Sequence, residues 1–475
     1  MAFNLRITSW VKKYKVEILL FCVALLARIV LFSINLHAEQ GNLINTIHGD
    51  DGYFELSRNL VQGHGISWED HAPYLPNPLR PPVYPLFLAI PLYLTGSYWV
   101  VALCQMLVGS LIPLLGMLVS RQITGSRSMS WWVGWLLAFE PYSILLSFIF
   151  YTETLFTALF LLFLLYLFRY TEMPSLRSSA MAGLFLGLAT LVKPTVQYLP
   201  ILLPAGLAWY WTSTVSSVER RDRWSKKLLG QFALFFMVFL AIIAPWLLRN
   251  RHEFGVLGMS AQPSFNLMVY LVPSVRALEN GTGFQTEYDR WFREQNLDWR
   301  DITLATSKTY QDRAVAELKK HPAGIIKSIG VTLTTFFTHD GMLVVLQHAG
   351  ISLPMAGSRP SFILALQNPI RAMPLLKDML FSPAIIVMCA RMIWILGTLL
   401  FLCGIVLFFR DRRFHLPGTI ALFLIAYFAL TTAINGLGVN ARFRIPVNAL
   451  ILTFAVYGFT LLGSRLLRRV FPIYD

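Results

Sequence analysis

Apolar runs of eighteen or more residues recur from one end of this sequence to the other, and no other feature narrows the fold so far. A run of that length lets an α-helix cross roughly 30 Å of hydrocarbon, where backbone polar groups must be satisfied within the segment itself. Only 14% of the 475 residues are charged and 56% are hydrophobic, against about 25% charged in an ordinary soluble domain. The chain therefore reads as an all-α polytopic membrane protein. Window hydropathy places spans at 17–36, 98–119, 130–149, 152–169, 179–193, 196–212, 228–248, 383–409, 416–434 and 445–463.

Charge then orients the bundle. The net charge of +15 sits in short basic clusters between apolar runs: Lys12, Lys13 and Lys15 before the first, Arg121 and Arg127, Arg169 and Arg177, the 220–227 group, Arg410, Arg412 and Arg413, and Arg465, Arg468 and Arg469 after the last. The positive-inside rule puts these on the cytoplasmic side, with both ends there. That pattern, and the lack of any recognition module, excludes a nucleic-acid partner. The first run contains Arg28 and no small-residue cleavage site follows it, so it reads as a retained anchor. Arg28 itself calls for a structural ion pair with an acid of another helix. Cys22, Cys104, Cys389 and Cys403 all lie in apolar runs with no CxxC spacing, which supports neither a zinc site nor a disulfide framework.

Three regions follow. Residues 1–248 form an N-terminal transmembrane module, with a first external loop at 37–82 and an interfacial helix at 83–94. Residues 249–382 form an external helical region, with polar helix at 285–320 and a shallow or transmembrane segment at 322–338. Residues 383–475 hold the C-terminal spans. No soluble catalytic domain of independent size is visible, so any active site must be built from external loops and outer span ends.

The candidates for chemistry collect there. Asp50 and Asp51 open a short helix in which Tyr53, Leu56 and Leu60 share a face and which Gly63 and Gly65 end. They serve either as a helix start, favoured by the dipole, or as a general base or metal ligand at the membrane surface. Glu153, in YTETLF, is an ionisable residue at membrane depth. Lys193, Arg249, Arg442 and Arg444 lie at external span ends against the positive-inside bias. They either snorkel to lipid headgroups or surround a phosphate, which arginine binds bidentately. Among the external histidines, His339 beside Asp340 is the most notable. No Walker loop, HExxH or GxSxG is present.

The stretches GDDGYFELSRNLVQGHGIS, LRPPVYPLFLAI, YTETLF, GLATLVKPT, PWLLRN and ARFRIPVNALIL, in that order, resemble the GT-C membrane glycosyltransferases, closest to the bacterial protein O-mannosyltransferase and aminoarabinose-transferase branch. The resemblance implies a GT-C-like bundle of about ten or more transmembrane helices whose periplasmic loops form the active site, in a bacterial inner membrane. It implies a sugar donor on undecaprenyl or another polyprenyl phosphate, an acceptor that is a glycan, lipid or protein, and inversion at the anomeric carbon. Cell-envelope glycans such as lipopolysaccharide are products of that kind. Asp50, with Asp51 next, would be the general base and Glu153 the second acid. Arg249, Arg442 and Arg444 would hold the donor phosphate, with Lys193 outside them. Tyr53, Arg80, Tyr84 and Asn250 would position loops or substrate. A divalent metal (magnesium, manganese or zinc) would draw on Asp51, Glu153 or His339. A flippase of lipid-linked sugars should instead show paired halves and helices broken at mid-membrane, and no repeat is visible. A polymerase or ligase of lipid-linked glycans shares the basic outer face and differs in using a diphosphate donor.

Overall fold

The computed structural model describes residues 2–204, 206, 218–351, 353, 370, 373, 374, 377, 380–412, 415–437 and 440–470, and among them all regular structure is helical. The principal helices are α1 (Ala2–Ala38), α2 (Tyr53–Val61), α3 (Val83–Thr95), α4 (Tyr98–Thr124), α5 (Arg127–Ala138), α6 (Glu153–Glu172), α7 (Leu176–Val192) and α8 (Val218–Phe254). They continue with α9 (Val272–Asn280), α10 (Phe284–Gln295), α11 (Ser307–Leu318), α12 (Pro322–Thr338), α13 (Ile385–Asp411), α14 (Leu416–Ala433) and α15 (Asn448–Val470). Seven helical stretches among the described residues are long and apolar enough to cross a bilayer, the last running from Ala441 through α15 to Gly463. The chain is a multi-pass membrane protein, all-α as its hydropathy requires.

The bundle is tied together by α4 against α6, α6 against α7, α7 against α8, and α13 against α15. The last pair is a backbone-to-backbone approach. A Cβ on Gly404 would collide with the Phe454 carbonyl, and one on Gly458 would lie 2.5 Å from the Leu400 carbonyl.

Several boundaries differ from the hydropathy reading for local reasons. The span expected at 130–149 is not one helix: α5 stops at Ala138 and a five-residue helix, Pro141–Leu145, follows. Proline disfavours helical backbone at the residue before it. Here that residue is Glu140, whose Oε2 accepts from Ser143 N–H at 2.6 Å and caps the new helix. The span expected to end at 248 runs on through Pro245 to Phe254. The polar helix expected over 285–320 is two helices, α10 and α11, because Asn296 takes a left-handed conformation (φ 46°) and closes the first. The segment at 322–338 is α12, and a 67° bend leads from it into Met342–His348; together these form an eighth candidate crossing or a re-entrant pair. The span expected at 196–212 lies largely outside the described residues. Arg28 is fully buried, yet its one hydrogen bond, Nη1 to Ala24 O at 2.8 Å, stays within its own helix, and no carboxylate among the described residues is within ion-pair distance.

Candidate active site

The first loop is laid against the entry to α6. Phe150 N–H donates to Ile47 O at 2.8 Å, and Asp50 N–H donates to the Tyr151 hydroxyl at 3.2 Å. Gly49 fits here because a Cβ would sit 2.9 Å from Phe150 O. Gly52 starts α2 in the left-handed region (φ 74°), with the Trp68 indole pressed where its Cβ would be. L-residues with side chains resist that backbone. Buried Tyr53 and Leu56 then anchor α2, as the periodicity predicts, and the tight turn leaves Asp50 exposed while Asp51 faces inwards.

Asp51 is the hub of an ion network drawn from five separate parts of the chain. Its Oδ1 accepts from Arg80 Nη2 at 3.2 Å and its Oδ2 from Arg442 Nη2. Arg442 Nε donates to Glu153 Oε1 at 2.7 Å, and Lys193 Nζ donates to the same oxygen at 2.8 Å. The Arg442 guanidinium stacks 4.0 Å over Tyr151, and the Lys193 ammonium lies over Phe443. Glu153 is fully buried at the first turn of α6, where the helix dipole favours an acid. Asp51 is about one-fifth exposed. Burial alone would raise its carboxyl, but Arg442, then Arg80 and Lys193, outweigh that and hold it well below the ordinary carboxylate range. Asp50, by contrast, has no ion pair among the described residues.

Both acids border a cavity of about 570 Å³. Its lining draws on the first loop, where His48 Nε2 and Glu55 Oε1 lie 2.9 Å apart, and on aromatic rings, Trp68 of that same loop with Phe265, Tyr270, Tyr288 and Trp299.

Asp50, Asp51, Glu153, Lys193 and Arg442 thus come together, as does Arg80, which was read as a loop-positioning residue and turns out to bridge Asp51 and Gln262. Tyr53 lies under Arg80, 5.3 Å from its guanidinium, and meets Tyr84 edge to face; the Tyr84 hydroxyl donates to Gln105 Oε1 at 2.7 Å. Four others stand apart. Arg444 is buried with its donors on Phe336 O, His339 O and Asn448 Oδ1, over Trp394. Arg249 reaches Asn77 O at 3.3 Å and Asn250 Oδ1 at 2.8 Å, and Asn250 Nδ2 holds Gly258 O at 2.7 Å. These residues brace loops. His339 accepts from Gly341 N–H and neighbours Asp340, itself paired with Arg391. The aromatic lining from 265–299 carried no motif; the only trace in sequence is the aromatic spacing of those polar helices.

The residues do not fit a resident metal ion. Both Asp51 oxygens are taken by guanidinium groups, Glu153 already serves two cations, and His339 is held elsewhere. Among the described residues no group of three or more His, Cys, Asp or Glu side chains is placed to share an ion.

Residues 79–248, a little over a third of the chain, match the family profile described as dolichyl-phosphate-mannose-protein mannosyltransferase. The matched segment contains Arg80, Glu153 and Lys193 and lies between the Asp50–Asp51 pair and Arg442. No curated protein matches in sequence. Among solved structures the chain is similar to the Archaeoglobus fulgidus oligosaccharyltransferase in complex with zinc and sulfate, at 15% identity and a TM-score of 0.48, covering 94% of this chain and 50% of that one. It is also similar to AglB from the same organism with an inhibitory peptide and a dolichol-phosphate (15% identity, TM-score 0.46, 98% and 53% covered). ArnT from Cupriavidus metallidurans in the apo state gives 14% identity, a TM-score of 0.38, and 98% and 80% covered. The chain spans about half the length of the archaeal structures.

Proposed function

We propose that this protein is an inverting glycosyltransferase that moves a sugar from a polyprenyl-phosphate donor to an acceptor hydroxyl at the periplasmic face of a bacterial cytoplasmic membrane. The observation that carries it is the convergence of Asp51, Arg80, Glu153, Lys193 and Arg442 beside a cavity into which Asp50 is free to reach. The acceptor O–H loses its proton to Asp50 as its oxygen attacks the anomeric carbon. The bond from that carbon to the phosphate oxygen breaks on the opposite side, and the electron pair leaves with polyprenyl phosphate. One base suffices for such a displacement, in contrast to the two acids of many glycosidases.

Charge developing on the phosphate needs fixed cations. Arg442 keeps its Nη1 free of protein partners among the described residues, and Lys193 stands beside it on the shared Glu153 oxygen. Asp51 and Glu153 are then positioning residues that set the guanidinium plane. Sidedness is supported by the helices. Glu153 starts α6 and Arg169 lies in its last turn, and a 1.5 Å rise per residue separates the two by about 24 Å. Lys193 and Arg177 stand at opposite ends of α7 in the same way.

The test is a donor panel. Full-length protein in nanodiscs is given radiolabelled sugars on polyprenyl monophosphate and on polyprenyl diphosphate, with membrane extract as acceptor. Label should transfer from a monophosphate, and Arg442→Ala should raise donor KM more than acceptor KM. Transfer from diphosphates alone, or an acceptor-only effect, overturns the reading.

A further inference from the structure

The cavity lining combines two chemistries, and together they specify more than a reacting hydroxyl. It carries the carboxylates of Asp50 and Glu55 and the rings of Trp68, Tyr270, Tyr288 and Trp299. We infer that the acceptor is a neutral saccharide, whose ring packs a C–H face on these rings and turns its hydroxyl edge to Asp50 and Glu55. The inference rests on the transfer reading above and narrows it to one acceptor class.

Four observations support a carbohydrate. A pyranose is itself two-faced, and flat aromatic side chains with polar tips match it on both counts. The volume, about 570 Å³, falls within the ordinary range for small-ligand sites and exceeds what a single serine or threonine side chain would fill. Tyr270 is 41% exposed on the cavity lining, and Trp68 and Trp299, both only partly buried, meet at 63° with centroids 5.9 Å apart rather than stacked. Finally, Tyr270 lies in a π-helical turn, Asn266–Leu271, inserted between Gln262–Phe265 and α9. Such turns are uncommon and cluster at functional sites.

Competing acceptors fit less well. A phosphate-bearing acceptor would meet Asp50 and Glu55, while Arg80, the one arginine lining the cavity among the described residues, is already committed to Asp51 and Gln262. Like charges placed together oppose binding. A peptide read through its backbone needs an open strand edge or an amphipathic groove, and the described residues contain no strand.

Saturation-transfer NMR on the full chain in nanodiscs, without donor, tests this directly. The probes are neutral trisaccharides (mannotriose, cellotriose, maltotriose and chitotriose), a serine- and threonine-rich peptide, and glucose 6-phosphate. At least one trisaccharide should receive saturation at its ring C–H protons. Trp299→Ala or Tyr270→Ala should weaken that binding about 10-fold, the equivalent of one lost aromatic contact. Trp299→Phe and Tyr270→Phe keep a ring and should retain most of it, which separates lost contact from lost folding. Saturation of the peptide or the sugar phosphate alone, no trisaccharide signal, or a signal indifferent to both alanine variants overturns the inference. Transfer of label onto peptide would end the saccharide assignment and leave the transferase reading standing; saccharide binding with no transfer from any lipid-linked donor would do the reverse.

Discussion

Arg442 and Arg276 each gather several carboxylates around one guanidinium, in different settings. Arg276 lies in α9 and binds Glu287 at 3.1 Å, Glu294 at 2.6 and 2.9 Å and Glu317 at 3.4 Å, using all three of its nitrogens. Its partners come from α10 and α11, close in sequence, and Lys320, His321 and Arg290 close the set. Glu287 is saturated in turn by Arg276, Arg290, Asn280 and Thr282. Arg442 joins segments up to 391 residues apart and, among the described residues, leaves Nη1 without a partner and has an acid without an ion pair, Asp50, on the cavity beside it. The first network clamps helices into one body; the second holds charge ready next to open space. Size and burial do not separate them; unused donors and an adjoining cavity do.

That contrast can be broken by substitution. The largest effect should come from Asp50→Asn. It removes the proposed base and no ion pair, so transfer should fall about 10²- to 10⁴-fold with the thermal transition unmoved; a rate near that of the unsubstituted protein would assign the base elsewhere. Arg442→Ala should lose about 10²- to 10³-fold in rate, with Arg442→Lys recovering little, because an ammonium cannot bridge Asp51 and Glu153 while facing a phosphate. Steady-state kinetics would read both.

In the clamp, Glu287→Ala should cost about 1–3 kcal/mol, because Arg276 Nε, Asn280 and Thr282 lose their acceptor while Glu294 and Glu317 still pair the guanidinium, read as faster hydrogen exchange across α10 and α11. Exchange unchanged there would mean the network contributes no stability. Next comes pH. The Asp51 carboxyl is depressed in the folded protein, so its stabilising contribution is complete above the unfolded value of about 4 and declines only as pH falls below that range. The Tm difference between the unsubstituted protein and Asp51→Asn should therefore hold steady from neutral pH to about pH 5 and shrink in stronger acid. A difference already lost at pH 5 would contradict the pairing. Smallest is Glu294→Gln: its carboxylate is 43% exposed, and such pairs contribute below about 1 kcal/mol.

Seven of the ten expected spans coincide with helices long and apolar enough to cross, because hydropathy sums over many residues and tolerates local error. The same averaging hid the break at Glu140–Pro141, where two residues redirect the chain within an apolar window. Asp50, Asp51, Glu153 and Lys193 were visible as polar residues at outer span ends. Their pairing was not, since it depends on how distant helices pack. NARFRIP shows why: Arg442 and Arg444 look equivalent, but two residues along a helix turn a side chain by roughly 200°. One faces Asp51 and Glu153, and the other faces the carbonyls of Phe336 and His339. The aromatic lining was the least legible, because Phe265, Tyr270, Tyr288 and Trp299 come from four separate helical segments whose sequence carries no signature of which loop they will face.

A single-turnover reaction puts the central claim at most direct risk. The protein in nanodiscs, loaded with a polyprenyl-monophosphate sugar of defined anomeric configuration, is quenched after one transfer. The account predicts one equivalent of polyprenyl monophosphate and a product of inverted configuration. A retained configuration, or no monophosphate released, would contradict it.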